Sequence, residues 1–245
     1  MKTLTSLLML FYSVLTANAA RCEDEKHVFH PKPAGTVVLV HGFLRSSMNM
    51  YAFSHSFKKE GWNVVNWSYP SRRKLIEEHA DDLVSRLKII ANCHPNEPIS
   101  FVTHSMGALV LRCALNHSEC PDEAKIGRAV LIAPPNRGSS FARSLHRYKP
   151  MRWLLGEKSG HQLMTTSPDG FDRMGNFPGD MPVLVISGTA GWNPAIGGVN
   201  DGKVGLQETC LQTPHYHASS YAGHSWICLV PSVVKKAKKF LSSGA

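Results

Sequence analysis

Short, mainly apolar runs alternate with longer stretches of amphipathic spacing along this chain. Residues 36–40, 62–67, 99–102, 128–133 and 182–187 are rich in Val, Ile, Leu and Phe and bounded by Gly, Pro or polar residues. Each reads as a strand buried on both faces. A weaker strand pattern covers 216–219. Residues 48–59 read as a helix stopped by Gly61, a favoured residue just past a helix end. Over 72–92, Leu75, His79, Leu83, Leu87 and Ile90 recur at helical spacing. Glu77, Glu78, Asp81, Asp82 and Lys88 take the opposite face, so this stretch predicts an amphipathic helix. Helical runs also follow at 108–115 and 231–241. Buried strands alternating with such helices predict an α/β fold, with a mostly parallel central sheet and helices on both faces. Residues 139–180 carry no single period. In this architecture they fall between two strands, above the carboxyl ends where ligands bind, and are a candidate cap.

The N-terminus changes the picture of where the protein works. Met1-Lys2 is a basic start, residues 4–15 are mostly apolar, and Ala17-Asn-Ala-Ala20 offers small residues for cleavage. That is the pattern of a secretory signal peptide over residues 1–20, and its apolar stretch is too short for a membrane span. The expectation is a secreted or secretory-lumen protein whose residues 21–245 form one domain. Six cysteines, Cys22, Cys93, Cys113, Cys120, Cys210 and Cys228, suit disulfides in that compartment. Nearness suggests Cys113 with Cys120 and Cys210 with Cys228, leaving Cys22 with Cys93. The absence of a CxxC pair argues against a zinc site. Asn66 and Asn116 each open an N-x-Ser glycosylation pattern.

The net charge of +9 favours anionic surfaces, including lipid. The basic residues are nevertheless scattered, apart from Arg72-Arg-Lys74 and the lysines at 235–239. The second group lies on the closing helix, opposite Val233, Val234, Ala237, Phe240 and Leu241, and reads as a solvated face. No nucleic-acid-binding module accompanies the charge, so nucleic acid is not an expected partner.

The chemistry concentrates at Ile99–Ala108. A buried strand runs into Thr103-His-Ser-Met-Gly107 and then at once into a helix. A serine on a sharp strand-to-helix turn is exposed beside the first free N–H groups of the helix, where an oxyanion can be stabilised. The bland alternative is a helix-capping serine. The usual pattern has Gly where Thr103 stands. A nucleophilic Ser105 needs a histidine base and a carboxylate to orient it, in the chain order Ser, acid, His. Asp201, in a Gly-rich loop after the strand at 182–187, is the candidate acid, with Glu208 as the later alternative. Asp180, Asp169 and Asp172 are less well placed. His224, between the last strand and the last helix, is preferred as base over His215 and His217. His104 beside the serine reads as structural. The backbone N–H of Met106 supplies one oxyanion donor. The second comes from the His41-Gly42 loop, from Phe43 or else Leu44.

These elements resemble the α/β-hydrolase superfamily, specifically its small lipase and esterase-like members. The motifs that carry the resemblance are Val38-Leu-Val-His-Gly42, Thr103-His-Ser-Met-Gly107, Ala133-Pro-Pro-Asn-Arg-Gly138, Asp201-Gly-Lys-Val204 and the Gly223-His224 loop. The resemblance runs from about residue 33 to residue 241. It implies an α/β-hydrolase fold and hydrolysis of carboxylic esters, of a lipid or acylglycerol type, through a Ser105–Asp201–His224 triad and an acyl-enzyme. It implies no metal or organic cofactor. The same triad also serves acyltransferases and thioesterases, and the superfamily includes silent members that bind lipids or partners. Phe43, Leu44, Met106, Met151, Trp153, Leu154 and Trp192 are candidates to line an apolar pocket.

Overall fold

Six strands form the sheet: β1 (Thr36–Val40), β2 (Asn63–Trp67), β3 (Ile99–His104), β4 (Ala129–Ile132), β5 (Val183–Gly188) and β6 (Tyr216–Ser220). In the computed structural model, which describes residues 34–243, their order is β2-β1-β3-β4-β5-β6 and every pairing is parallel. The described residues belong to one compact unit that begins at Ala34. Residues 1–20, Cys22 and the rest of the segment before Ala34 lie outside the described residues.

The strand pattern explains the layers. β1, β3, β4 and β5 are buried along their whole length, and alternate side chains enter two separate cores. Val38, Val40, Phe101, Leu131 and Val185 pack on α2 (Ile76–Cys93) and α3 (Gly107–Leu115). Val37, Leu39, Val102, Ile132 and Ile186 pack on α1 (Tyr51–Lys59) and α8 (Pro231–Ser242). The edge strands are only partly covered, which is why β6 reads weakly in the sequence. On α8 the lysines 235, 236 and 239 face solvent, while Val233, Val234, Ala237 and Leu241 are buried.

The helices depart from the expectation in several places, and the one expected over 48–59 opens as a 3-10 turn at Ser47–Met50 and is α-helical from Tyr51. Helix α2 starts at Ile76 rather than 72, because Pro70 opens a turn in which the Arg73 N–H bonds the Pro70 carbonyl at 2.8 Å. Residues 139–180 are not irregular. They contain four short helices: α4 (Ser140–Leu145), α5 (Lys149–Leu155), α6 (Ser159–Thr165) and α7 (Pro168–Asp172). Each is too short to display an amphipathic period. Their starts are nevertheless marked, by capping Ser139 and Ser167 and by Pro150 and Pro168 in the first turn.

The suggested disulfides Cys113–Cys120 and Cys210–Cys228 are not formed. Cys120 packs in the α2/α3 core with its thiol toward the Pro121 carbonyl. Cys228 is wholly buried in the α1/α8 core, and the Cys210 thiol faces the Leu206 carbonyl instead. Burial pushes the Cys113 and Cys120 thiols up, to about 12 and about 11, and raises Cys228 further, so these sulfurs stay protonated. Of the two glycosylation patterns, Asn66 lies within β2 with its amide on the Ser47 carbonyl. Asn116 is exposed, but its amide donates to the Arg112 and Asn176 carbonyls.

Candidate active site

The chain leaves β3 at His104 and enters α3 at Gly107, so the turn between them has no slack. Ser105 accordingly takes a left-handed backbone, with φ of +53°. For a non-glycine residue that strain costs roughly 1–3 kcal/mol and persists only where neighbours enforce it. The Ser105 N–H holds the Ile132 carbonyl of β4 at 2.9 Å. Glycines flank the serine because nothing larger fits. A Cβ on Gly107 would lie 2.7 Å from the Val40 carbonyl oxygen, and one on Gly42 would lie 2.9 Å from the Ser105 Cβ. Thr103 is fully buried, and among the described residues its hydroxyl has no hydrogen-bond partner.

The imidazole of His224 joins the serine to the acid. Its Nδ1–H donates to Asp201 Oδ2 at 2.8 Å, and its Nε2 faces Ser105 Oγ at 3.0 Å. Because a carboxylate only accepts, Nδ1 carries the hydrogen and Nε2 is free to take one from the serine. Both residues are almost wholly buried, His224 at 7 % and Asp201 at 4 % exposure. The other carboxylate oxygen accepts from the N–H groups of Lys203 and Val204, which fixes its plane. Gly188, at the end of β5, makes room: a Cβ there would sit 2.7 Å from the Asp201 Cβ.

The alternatives fall elsewhere. Glu208 binds the start of α4, accepting from the Ser140 N–H and hydroxyl, and also accepts from the Gly205 N–H. His217 shares a 2.7 Å hydrogen bond with Ser187, and His215 bonds the Thr213 carbonyl. Asp172 accepts from Gln212 on the far side of the insert, and Asp169 and Asp180 are exposed. In the loop after β1, the Leu44 N–H is taken by the Ser71 hydroxyl at 3.0 Å. Among the described residues no acceptor meets the N–H of Phe43 or of Met106. Phe43 is therefore the donor that the loop leaves open.

Two further histidines hold this frame. His104 is buried, and its Nε2–H donates to the His224 carbonyl at 3.1 Å, so it steadies the loop that carries His224. Burial above all, then the nearby His224, hold its pKa well below 6.5, so it is neutral and can play that part. His41 is neutral for the same first reason. Its Nδ1–H reaches the Gly42 carbonyl, its Nε2 accepts from the Tyr69 N–H, and its ring stacks on Tyr69 at 4.3 Å.

Ser105 opens into a cavity of about 470 Å³. Phe43 and Leu44 line it as expected, but Met106, Met151, Trp153, Leu154 and Trp192 do not. Trp153 and Trp192 point to solvent, at 80 % and 90 % exposure. The apolar wall comes instead from Phe141 and Leu145 of α4, Leu155 of α5, and Leu163 and Met164 of α6. These could not be placed from sequence, because the helices that present them were not legible. Arg112 was also missed. It is a buried guanidinium on α3 that donates to the carbonyls of Asn136, Phe171 and Gly175, tying the end of the insert to the sheet layer. Only its position inside an otherwise apolar helical run hinted at a special role.

The fold has clear relatives among solved structures. The chain is similar to the mature lipase BlEst2 of Bacillus licheniformis, with 22% identity, a TM-score of 0.66, and coverage of 88% of this chain and 93% of that one. It is also similar to the Pyrococcus furiosus esterase PF2001, with 16% identity, a TM-score of 0.55, and coverage of 86% and 81%. A phospholipase, PlaB of Legionella pneumophila, aligns at 15% identity and a TM-score of 0.52 over 72% of this chain and 45% of that one. At such identities the likeness establishes the α/β-hydrolase fold. No curated protein matches by sequence. The family model described as serine aminopeptidase, S33 matches residues 31–167, from before β1 through the serine turn to just past α6, and the chain belongs to that hydrolase family.

Proposed function

We propose that this protein is a secreted serine hydrolase that cleaves carboxylic esters, with Ser105 as nucleophile, His224 as general base and Asp201 as its orienter. The observation that carries this reading is the single imidazole held between Ser105 Oγ and Asp201 Oδ2 at 3.0 and 2.8 Å. In this mechanism His224 Nε2 takes the Ser105 proton as Oγ attacks the ester carbonyl carbon. The carbonyl oxygen becomes an oxyanion facing the open N–H groups of Phe43 and Met106. His224 then returns the proton to the leaving alcohol, and the acyl group remains on Ser105. Water, deprotonated by the same imidazole, releases the acid. Asp201 stabilises the imidazolium throughout and stays ionised.

The apolar wall supports an ester with a hydrocarbon acyl chain, accommodated between the insert and the loop after β1. The insert, residues 139–180, acts in this reading as a cap. The family's description raises a second substrate, a peptide with a free amino terminus. A site of that kind needs an anion to receive the ammonium group. The cavity offers none, since its ionised lining groups are Arg45 and Lys203, and Asp201 is occupied by His224 and two N–H groups. Contact with lipid surfaces belongs to the same reading, supported by exposed Trp192, Tyr221 and Trp226 on the loops after β5 and β6. Secretion rests on the pattern of residues 1–20, and N-terminal sequencing of exported protein tests it.

A fluorophosphonate probe tests the chemistry. It is expected to label the wild type and not Ser105→Ala, which also loses about 10⁴-fold or more in kcat on p-nitrophenyl esters. Equal labelling of the two proteins would overturn the assignment. Product analysis with an added alcohol separates hydrolysis from acyl transfer.

A further inference from the structure

The lining of the cavity has two characters. Much of it is the apolar wall described above. Arg45 and Lys203, cations on the loops that also carry Phe43 and Asp201, line it as well. Their main chains are fixed. The Arg45 N–H bonds the Gly42 carbonyl at 3.2 Å, the Lys203 N–H bonds Asp201, and the Lys203 carbonyl accepts from Ser139 Oγ at 2.6 Å. Their side chains are not. Among the described residues neither cation has a carboxylate within 4.0 Å or a side-chain hydrogen bond. The charges are nonetheless close enough to act on one another. Partial burial disfavours the charged form of Lys203, Arg45 adds to that and Asp201 opposes it, and both cations disfavour a charge on His104. The cavity lining therefore carries two like charges, and the carboxylate that opposes them, Asp201, is already held by His224 and two backbone N–H groups. Both cations are exposed to solvent, so an anion entering the cavity reaches them without breaking an ion pair.

We propose that Arg45 and Lys203 form a subsite for an anionic group, a phosphate above all, on the non-acyl part of the ester. This rests on the assignment of Ser105 as nucleophile. The apolar wall then takes the acyl chain and the cationic pair takes the leaving alcohol, so the carbonyl between them is presented to Ser105. Arg45 contributes a planar fork that pairs with two phosphate oxygens, and Lys203 contributes a point charge. Because the anion sits on the departing fragment, the subsite selects substrates by their alcohol and leaves chain length to the insert.

The test compares octanoyl glycerophosphate with monooctanoylglycerol, both as dissolved monomers so that no lipid surface takes part. Wild type is expected to favour the phosphate ester by about 10-fold or more in kcat/KM. The ratio should fall to near unity in Arg45→Gln/Lys203→Gln and invert in Arg45→Glu. Damage to folding lowers both esters alike and leaves the ratio intact. Calorimetric binding of the two esters to Ser105→Ala reads the subsite without turnover. If that variant binds the phosphate ester selectively but wild type hydrolyses neither, the subsite stands and the hydrolase reading fails. Equal binding of both esters, a ratio unchanged in the double variant, or a charge preference seen only when neutral ester is presented in phosphatidylglycerol vesicles would overturn the subsite.

Discussion

At the scale of single residues, the site is an exercise in clearance and proton placement. Gly42 shows the first. Gly42→Ala puts a methyl group against the Ser105 Cβ at 2.9 Å and the His104 carbonyl at 3.1 Å. The serine must shift, and we expect the fluorophosphonate labelling rate to fall about 100-fold with the fold retained. Asp201 shows the second. Asp201→Asn keeps the shape but offers the imidazole a donor as readily as an acceptor, so the wrong tautomer is stabilised. A loss of about 10³–10⁴-fold in kcat is expected in steady-state assays. The sequence made Ser105, Asp201 and His224 legible because the fold dictates their order along the chain. It did not separate Phe43 from Leu44, since that depends on Ser71, a distant residue whose hydroxyl claims one of the two N–H groups. Nor did it dismiss Glu208, whose partners belong to a helix the pattern did not reveal.

At the scale of elements, the insert has no core of its own: Phe171, Met174 and Phe177 pack into the α2/α3 core, and polar ties fix its two ends. Glu208 receives the first turn of α4, and Arg112 collects the carbonyls of Phe171 in α7 and of Gly175 just after it. Glu208→Gln weakens the first tie by removing the charge at the helix start. We expect a lower Tm with the pH profile of kcat unchanged, which distinguishes it from any variant of the triad acid. Arg112→Met removes a buried cation and strands three carbonyls. A loss of about 2–4 kcal/mol is expected in chemical denaturation. Long elements such as α2 were legible because five apolar residues repeat at helical spacing. Helices of five to seven residues carry too few turns for that signal, so α4–α7 emerge from capping chemistry and tertiary contact instead.

For the molecule as a whole, buried imidazoles link stability to pH. Burial lowers the pKa of His41, His79 and His104 below 6.5. The unfolded chain therefore takes up protons near 6.5 that the native state refuses. Stability is fully present above that pH and is lost as pH falls through it toward the lower native values, by up to about 1.4 kcal/mol per histidine per pH unit. Thermal melts are expected to show Tm declining from pH 7 to pH 5, with a shallower slope in His79→Leu. The doubly covered sheet was legible from its continuous apolar strands. The cysteine pairings were not, because nearness in sequence says nothing about which core a thiol enters. Cys120 and Cys228 lie in cores on opposite faces of the sheet.

The distance along the chain between nucleophile and base has a consequence for biosynthesis. Ser105 is made 119 residues before His224, and its orienting acid falls between them. A nascent chain can complete β1–β4 and the strained serine turn while still lacking any group able to activate the hydroxyl. In the proposed mechanism reactivity is thus conferred in one step, when the last strand closes the sheet edge and the loop beyond it brings His224 to Ser105. Products of premature termination before residue 224 are chemically silent, and in refolding experiments probe labelling should appear with the slowest folding phase rather than with the first collapse.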